Sequence, residues 1–75
     1  MPDKLPSLRP AEIIRALERC GLTVQRQSGS HVLLWKSGLR RPVVIARHTK
    51  SLSAATLSQI LSQAEVTADE FMGSL

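Results

Sequence analysis

Two serine–glycine pairs, Ser28–Gly29 and Ser37–Gly38, separate three short runs, LTVQRQ (22–27), HVLLWK (31–36) and PVVIA (42–46). The runs carry the alternating or β-branched character of strands. Each Ser–Gly pair is tight-turn chemistry, so the three predict an antiparallel meander. Pro42 has to stand at the start of its run, because proline has no N–H to give to a ladder. In the middle run His31, Leu33 and Trp35 share one face, and Val32, Leu34 and Lys36 share the other. Both faces read as apolar, so the pattern leaves open which one is covered. Trp35 is expected in the core or at the border of a partner-binding surface.

Helical periodicity flanks the meander. Pro10 suits a first helical turn, and AEIIRALERCG follows it. Ile13, Ile14, Leu17 and Cys20 fall on one side, with Glu12, Arg15, Glu18 and Arg19 on the other. Gly21 ends the helix. After the third run, RHTKSLS leads to a second helix that Ser51 or Ser53 would cap. Its apolar stripe is Ala54, Leu57, Ile60, Leu61 and Ala64. Thr67-Ala68-Asp69-Glu70 is a capping-box pattern opening a short terminal helix with Phe71 on it. Two amphipathic helices need a common surface, which one face of a three-stranded sheet supplies. The expected fold class is therefore α+β, α-β-β-β-α with a short C-terminal helical turn. This layout is that of double-stranded-RNA-binding domains. Residues 1–75 are expected to form a single domain, with 1–8 as a flexible N-terminal tail.

Charge narrows the partners. Ten Lys and Arg against six Asp and Glu give a net charge of +4, and seven of the ten are arginines. Arginine suits planar, bidentate contact with phosphate or carboxylate. A basic chain this small points to nucleic acid or an acidic protein. The lone Cys20 has no internal disulfide partner, which fits a reducing cytosol, and its place on the helix reads as packing. No apolar run approaches a membrane span, and the N-terminus lacks the apolar core of an export signal, so no membrane partner is expected. No Gly-rich phosphate loop, paired carboxylates or nucleophile elbow occurs. Neither a cofactor nor a metal site is expected.

His31 is the residue that needs a reason. Histidine exchanges a proton most readily near neutral pH, and this one follows Gly29 and Ser30 directly at a strand start. RNA brings its own nucleophile, the ribose 2′-hydroxyl. A ribonuclease has to supply a base for that proton, an acid for the leaving oxygen, and cations for the phosphate. Gly29 lets a bulky polyanion approach the backbone closely. In a meander the ends of the first and third strands lie beside the start of the second. That places Arg26, Arg47, His48 and Lys50 nearer His31 than Lys36 or Arg40, which with Arg41 bracket the other turn. Phosphate contacts from Arg26, Arg41, Arg47, His48 and Lys50 would give salt-dependent RNA affinity. The plainer readings stand beside these. A histidine at a strand start is often a surface residue or hydrogen-bonded spacer, His48 is a partner acid, an RNA contact or a loop residue, and exposed arginines often serve solubility alone.

Several blocks taken together resemble a known family. AEIIRALERCGL (11–22), RQSGSH (26–31), VVIARH (43–48) and TLSQILSQA (56–64), followed by VTADEF (66–71), are similar in order and spacing to the HicA toxins, also called YcfA-like proteins. Gly29-Ser30-His31 is the most specific piece. The resemblance runs from about Leu8 to Phe71. It implies a double-stranded-RNA-binding-like fold, an endoribonuclease acting on mRNA, a HicB-like antitoxin as partner, and the histidine of the Gly-Ser-His block, His31, as catalytic residue. The chain departs from the family pattern at Ala54-Ala55, where a basic residue and glycine are usual. It departs also at Ala46, often proline, and at Val32, often a second histidine or another polar residue. From the residues alone, two other functions stay open: a non-catalytic RNA-binding module or antitoxin-binding remnant, and a small domain whose basic face meets an acidic protein.

Overall fold

The computed structural model describes residues 5–47 and 50–75. Six elements follow one another: α1 (Pro10–Arg19), β1 (Thr23–Ser28), β2 (His31–Trp35), β3 (Val43–Ala46), α2 (Ala54–Ala64) and α3 (Ala68–Gly73). The fold is α+β, with the expected α-β-β-β-α order and a short final helix.

Each helix starts where its sequence provides a partner for the first exposed N–H groups. Pro10 opens α1, and the Arg9 amide donates to the Glu12 carboxylate at 3.0 Å. Of the two candidate caps for α2 the structure uses Ser53, whose Oγ accepts from the Thr56 amide at 3.2 Å. Thr67 and Glu70 close the expected box on α3: the Thr67 amide donates to Glu70 Oε1 and the Glu70 amide to Thr67 Oγ1, both at 3.1 Å. Phe71, on that short helix, is fully buried and holds it on the core.

The sheet is antiparallel in the order β1-β2-β3. Its first connection is as tight as the sequence implies. Ser28 pairs with His31, leaving Gly29 and Ser30 as the turn, and Gly29 has a φ of 59°. Glycine at the first central position with positive φ is the requirement of a type II′ hairpin. The second connection differs from expectation. It runs from Lys36 to Pro42, and the turn at Ser37–Gly38, closed by the Leu39 amide on the Lys36 carbonyl at 3.2 Å, is only its first part. The reason is Leu39, which is buried and whose carbonyl accepts from Trp35 Nε1 at 3.0 Å. The additional chain carries an apolar side chain into the core before β3 begins at Val43, directly after Pro42.

Burial settles which sheet face the helices cover. Val32, Leu34, Val43 and Ile45 are buried with Ile13, Leu17, Leu57, Leu61 and Phe71. Burying each such side chain contributes roughly 1.5–3 kcal/mol. His31, Leu33, Trp35, Val44 and Ala46 alternate with the buried set and lie on the other face, Trp35 half-buried and Val44 50% exposed. At the chain ends, Ser7 Oγ donates to the Leu52 carbonyl at 3.2 Å and the Leu52 amide to the Leu8 carbonyl at 2.8 Å. Arg19 Nη1 donates to the Ser74 carbonyl at 2.7 Å, and half-buried Cys20 sits with its Sγ 3.1 Å from Ser74 Oγ.

Candidate functional site

The β1–β2 turn and the end of β3 meet at one rim of the sheet. His31 is the first residue of β2, paired with Ser28 on one side and Ala46 on the other. The Arg47 amide donates to the Ser30 carbonyl at 2.6 Å, just beyond the His31–Ala46 pair. A backbone bond in that position marks a non-hydrogen-bonded antiparallel pair, the kind whose side chains stand closest. On β3 the cross-strand neighbour of His31 is therefore the Ala46 methyl, and His31 is exposed on the face without helices. The turn beside it is bare: a Cβ built on Gly29 would meet nothing within 4 Å.

Cations surround this rim unevenly. Arg26 pairs with Leu33, which puts it on the same face as His31 and one step along the neighbouring strand, since β1 carries an irregularity between Val24 and Arg26. Arg47 follows the residue paired with His31, and Lys50 is exposed shortly after it. Arg41 lies beyond the opposite end of β3, roughly 15 Å away at about 3.3 Å per residue. There, with Arg40, it lines a separate cleft of about 630 Å³ beside Gln63 of α2 and Glu65, which caps that helix. His48 lies outside the described residues. The rim thus brings together Gly29, Ser30, His31, Arg26 and Arg47, and leaves Arg41 apart.

Sequence reasoning missed one member of the neighbourhood. Arg15 of α1 lines a groove that also takes in Arg47, against the β1–β2 hairpin. Read as a helix position, Arg15 is only one of four charged residues on the polar side of α1, and nothing in the periodicity says which of them would face the hairpin. Among the described residues no group of three His, Cys, Asp or Glu side chains is placed to hold a metal ion. No helix among them is long and apolar enough to cross a membrane.

Fold and rim together define a small basic α+β domain of the double-stranded-RNA-binding layout, with a histidine at the start of the central strand. The family model for the HicA toxin of bacterial toxin–antitoxin systems matches residues 10–66 of the 75-residue chain. The chain belongs to the HicA toxin family. The matched segment contains all of the rim and both long helices. No curated protein matches the chain.

Proposed function

We propose that the chain is a metal-independent endoribonuclease, the toxin of a toxin–antitoxin pair, that cuts mRNA with His31 as general acid/base. The observation that carries this is the position of His31: exposed, at the rim, on the helix-free face, beside a turn with no side chain at Gly29. A phosphodiester can reach such a ring without displacing any part of the core. Residues 1–75 act as one HicA-like domain in this reading, in the cytoplasm where mRNA is found, with a HicB-like antitoxin as the neutralising partner.

The chemistry needs few groups. The 2′-oxygen of the ribose forms a bond to the adjacent phosphorus while the bond from phosphorus to the 5′-oxygen breaks. The imidazole of His31 takes the 2′ proton, and the departing oxygen gains one from an acid. The products are a 2′,3′-cyclic phosphate and a 5′-hydroxyl. Arg26, Arg47 and Lys50 hold the phosphates near the cut and offset the charge that gathers on the crowded phosphorus. Gly29 and Ser30 shape the approach. Arg41 and His48 add phosphate contacts along the strand. Proton transfer by one positioned side chain contributes about 10² to 10⁴-fold.

The test is cleavage of a defined single-stranded RNA by wild-type and His31→Ala protein with EDTA present. The wild-type chain is expected to cut, leaving cyclic phosphate and 5′-hydroxyl ends, and His31→Ala to cut slower by roughly 10² to 10⁴-fold. Loss of wild-type cleavage in EDTA would overturn the metal-free step. RNA bound but left whole by the wild-type chain would make it a binding module or an antitoxin-binding remnant.

A further inference from the structure

On the helix side of the same rim, α1 and the β1–β2 hairpin enclose a groove of about 210 Å³. Its floor is apolar, built from Ile14 of α1 with Val24 and Val32 of the hairpin. Four polar side chains border it: Arg15 and Glu18 on α1, Gln27 on β1 and Arg47 after β3. Ile14, Arg15 and Glu18 recur at helical spacing with Ala11, forming a stripe beside the buried one. The volume is below the range that holds drug-sized ligands and suits one flat heterocycle.

Three observations connect this groove to a nucleotide chain. It is continuous with the rim, since Arg47 both lines it and bonds through its amide to Ser30, one residue before His31. The hairpin turn that joins the two lining strands carries Gly29, where an added Cβ would meet nothing within 4 Å. And its charges are divided: two guanidinium groups suit a phosphate, whereas Glu18 would repel one and has to face a hydrogen-bond donor instead. A base fits that division. Guanine presents two adjacent N–H donors on its Watson–Crick edge, matching the two oxygens of a carboxylate. Uracil presents one N–H between two carbonyl oxygens, which the carboxylate repels.

We propose that the groove between α1 and the hairpin is a nucleobase subsite for the RNA residue next to the cleaved phosphodiester. In it Arg15 and Arg47 clamp the phosphate, and Glu18 selects guanine over uracil. The proposal rests on the ribonuclease reading and adds to it a binding residue, Arg15, and a specificity residue, Glu18. Gln27, which also lines the groove, supplies a further polar group.

Two measurements on the full chain test it. In the first, single-stranded oligoribonucleotides differing only at the residue flanking the cut are given to wild-type and Glu18→Ala protein. Wild-type kcat/KM is expected to favour guanosine over uridine by roughly tenfold or more, the size of one good bidentate base contact. Glu18→Ala should bring that ratio close to one. In the second, the His31→Ala protein, with and without Arg15→Ala, binds the guanosine oligomer across a range of salt. Arg15→Ala should weaken binding and lower the slope of log K against log salt by about 0.7, the value of one phosphate contact on a single strand. A wild-type ratio near one, or an Arg15→Ala protein with unchanged slope in a chain that still cuts RNA, overturns the subsite and leaves the ribonuclease standing. RNA neither bound nor cut by the wild-type chain removes the ribonuclease reading itself. Retained RNA binding by Arg15→Ala with lost neutralisation by the antitoxin would assign the groove to a protein and overturn the proposal.

Discussion

The Arg47 amide and the Ser30 carbonyl, 2.6 Å apart, tie the end of β3 to the turn that carries His31. This bond is the last rung of the sheet at that rim. It fixes the backbone just beyond the His31–Ala46 pair, so the ladder anchors His31 at a residue that is exposed. A proton-transfer group needs that combination, because it works only within hydrogen-bond reach of its partner. The Arg47 side chain leaves the same residue toward α1. One backbone segment thus serves both faces of the rim.

Gly29 is the residue whose replacement should separate turn geometry from chemistry. At φ 59° an alanine carries a backbone penalty of about 1–2 kcal/mol, with no clash to add, since a Cβ there meets nothing within 4 Å. Thermal unfolding followed by circular dichroism should show Gly29→Ala lowering Tm by several degrees. RNA cleavage at a temperature where the variant is still folded should fall as well, because the turn sets where His31 stands. Unchanged cleavage would mean the turn has no part in presenting the ring.

His31→Ala is expected to leave stability nearly untouched, within about 0.5 kcal/mol, as surface substitutions usually do. A urea titration of both proteins checks this. A large destabilisation would recast His31 as a structural residue and make any loss of cleavage uninformative.

Glu65 marks the opposite case, a natural residue in a glycine conformation. It caps α2 at φ 57° and ψ 41°, with its amide on the Leu61 and Ser62 carbonyls. Glu65→Gly keeps those backbone bonds and relieves the left-handed strain, so it should stabilise the fold by about 1 kcal/mol. Chemical denaturation reads this directly, and a destabilised variant would show that the Glu65 side chain contributes more than its conformation loses.

The Thr67–Glu70 box gives the fold a pH dependence. Hydrogen bonds from the Thr67 amide and then its hydroxyl hold the Glu70 carboxyl below the usual glutamate value. A depressed carboxylate adds stability that is fully present above the unfolded-state value and disappears as pH falls through the folded-state value. Denaturation midpoints between about pH 7 and pH 2 should therefore drop more for wild type than for Glu70→Gln. Thr67→Ala should lower stability at neutral pH by about 1 kcal/mol, the usual effect of losing an N-cap. Parallel pH curves for wild type and Glu70→Gln would refute the linkage.

Phe71 fastens the same helix. Truncating a fully buried phenylalanine to alanine removes about 3–5 kcal/mol, a large share of what a chain this small can have. Phe71→Ala should be partly unfolded at 37 °C by circular dichroism. A two-state transition with wild-type midpoint would mean α3 is dispensable.

Local patterns determine much of this protein before any tertiary contact forms. Spacing and caps set the α-β-β-β-α order, because Pro10, Ser53 and the Thr67–Glu70 pair act within one helical turn of themselves. The first tight turn is legible for the same reason, two residues closing it, although the pattern points to Ser28–Gly29 and the pairing of Ser28 with His31 sets it at Gly29–Ser30. The Gly-Ser-His block also marked out His31 as the candidate residue. What needed the tertiary structure was everything that depends on packing between distant segments. Val32 and Leu34 look no more apolar than Leu33 and Trp35, and only the helices lying across one face distinguish them. Leu39 looked like loop until the core received it. Arg15 and Arg47 are 32 positions apart in the chain, and they border one groove because α1 packs against β3. Turns and caps are short-range hydrogen bonding, whereas a face, a core or a groove exists only once the chain has folded on itself.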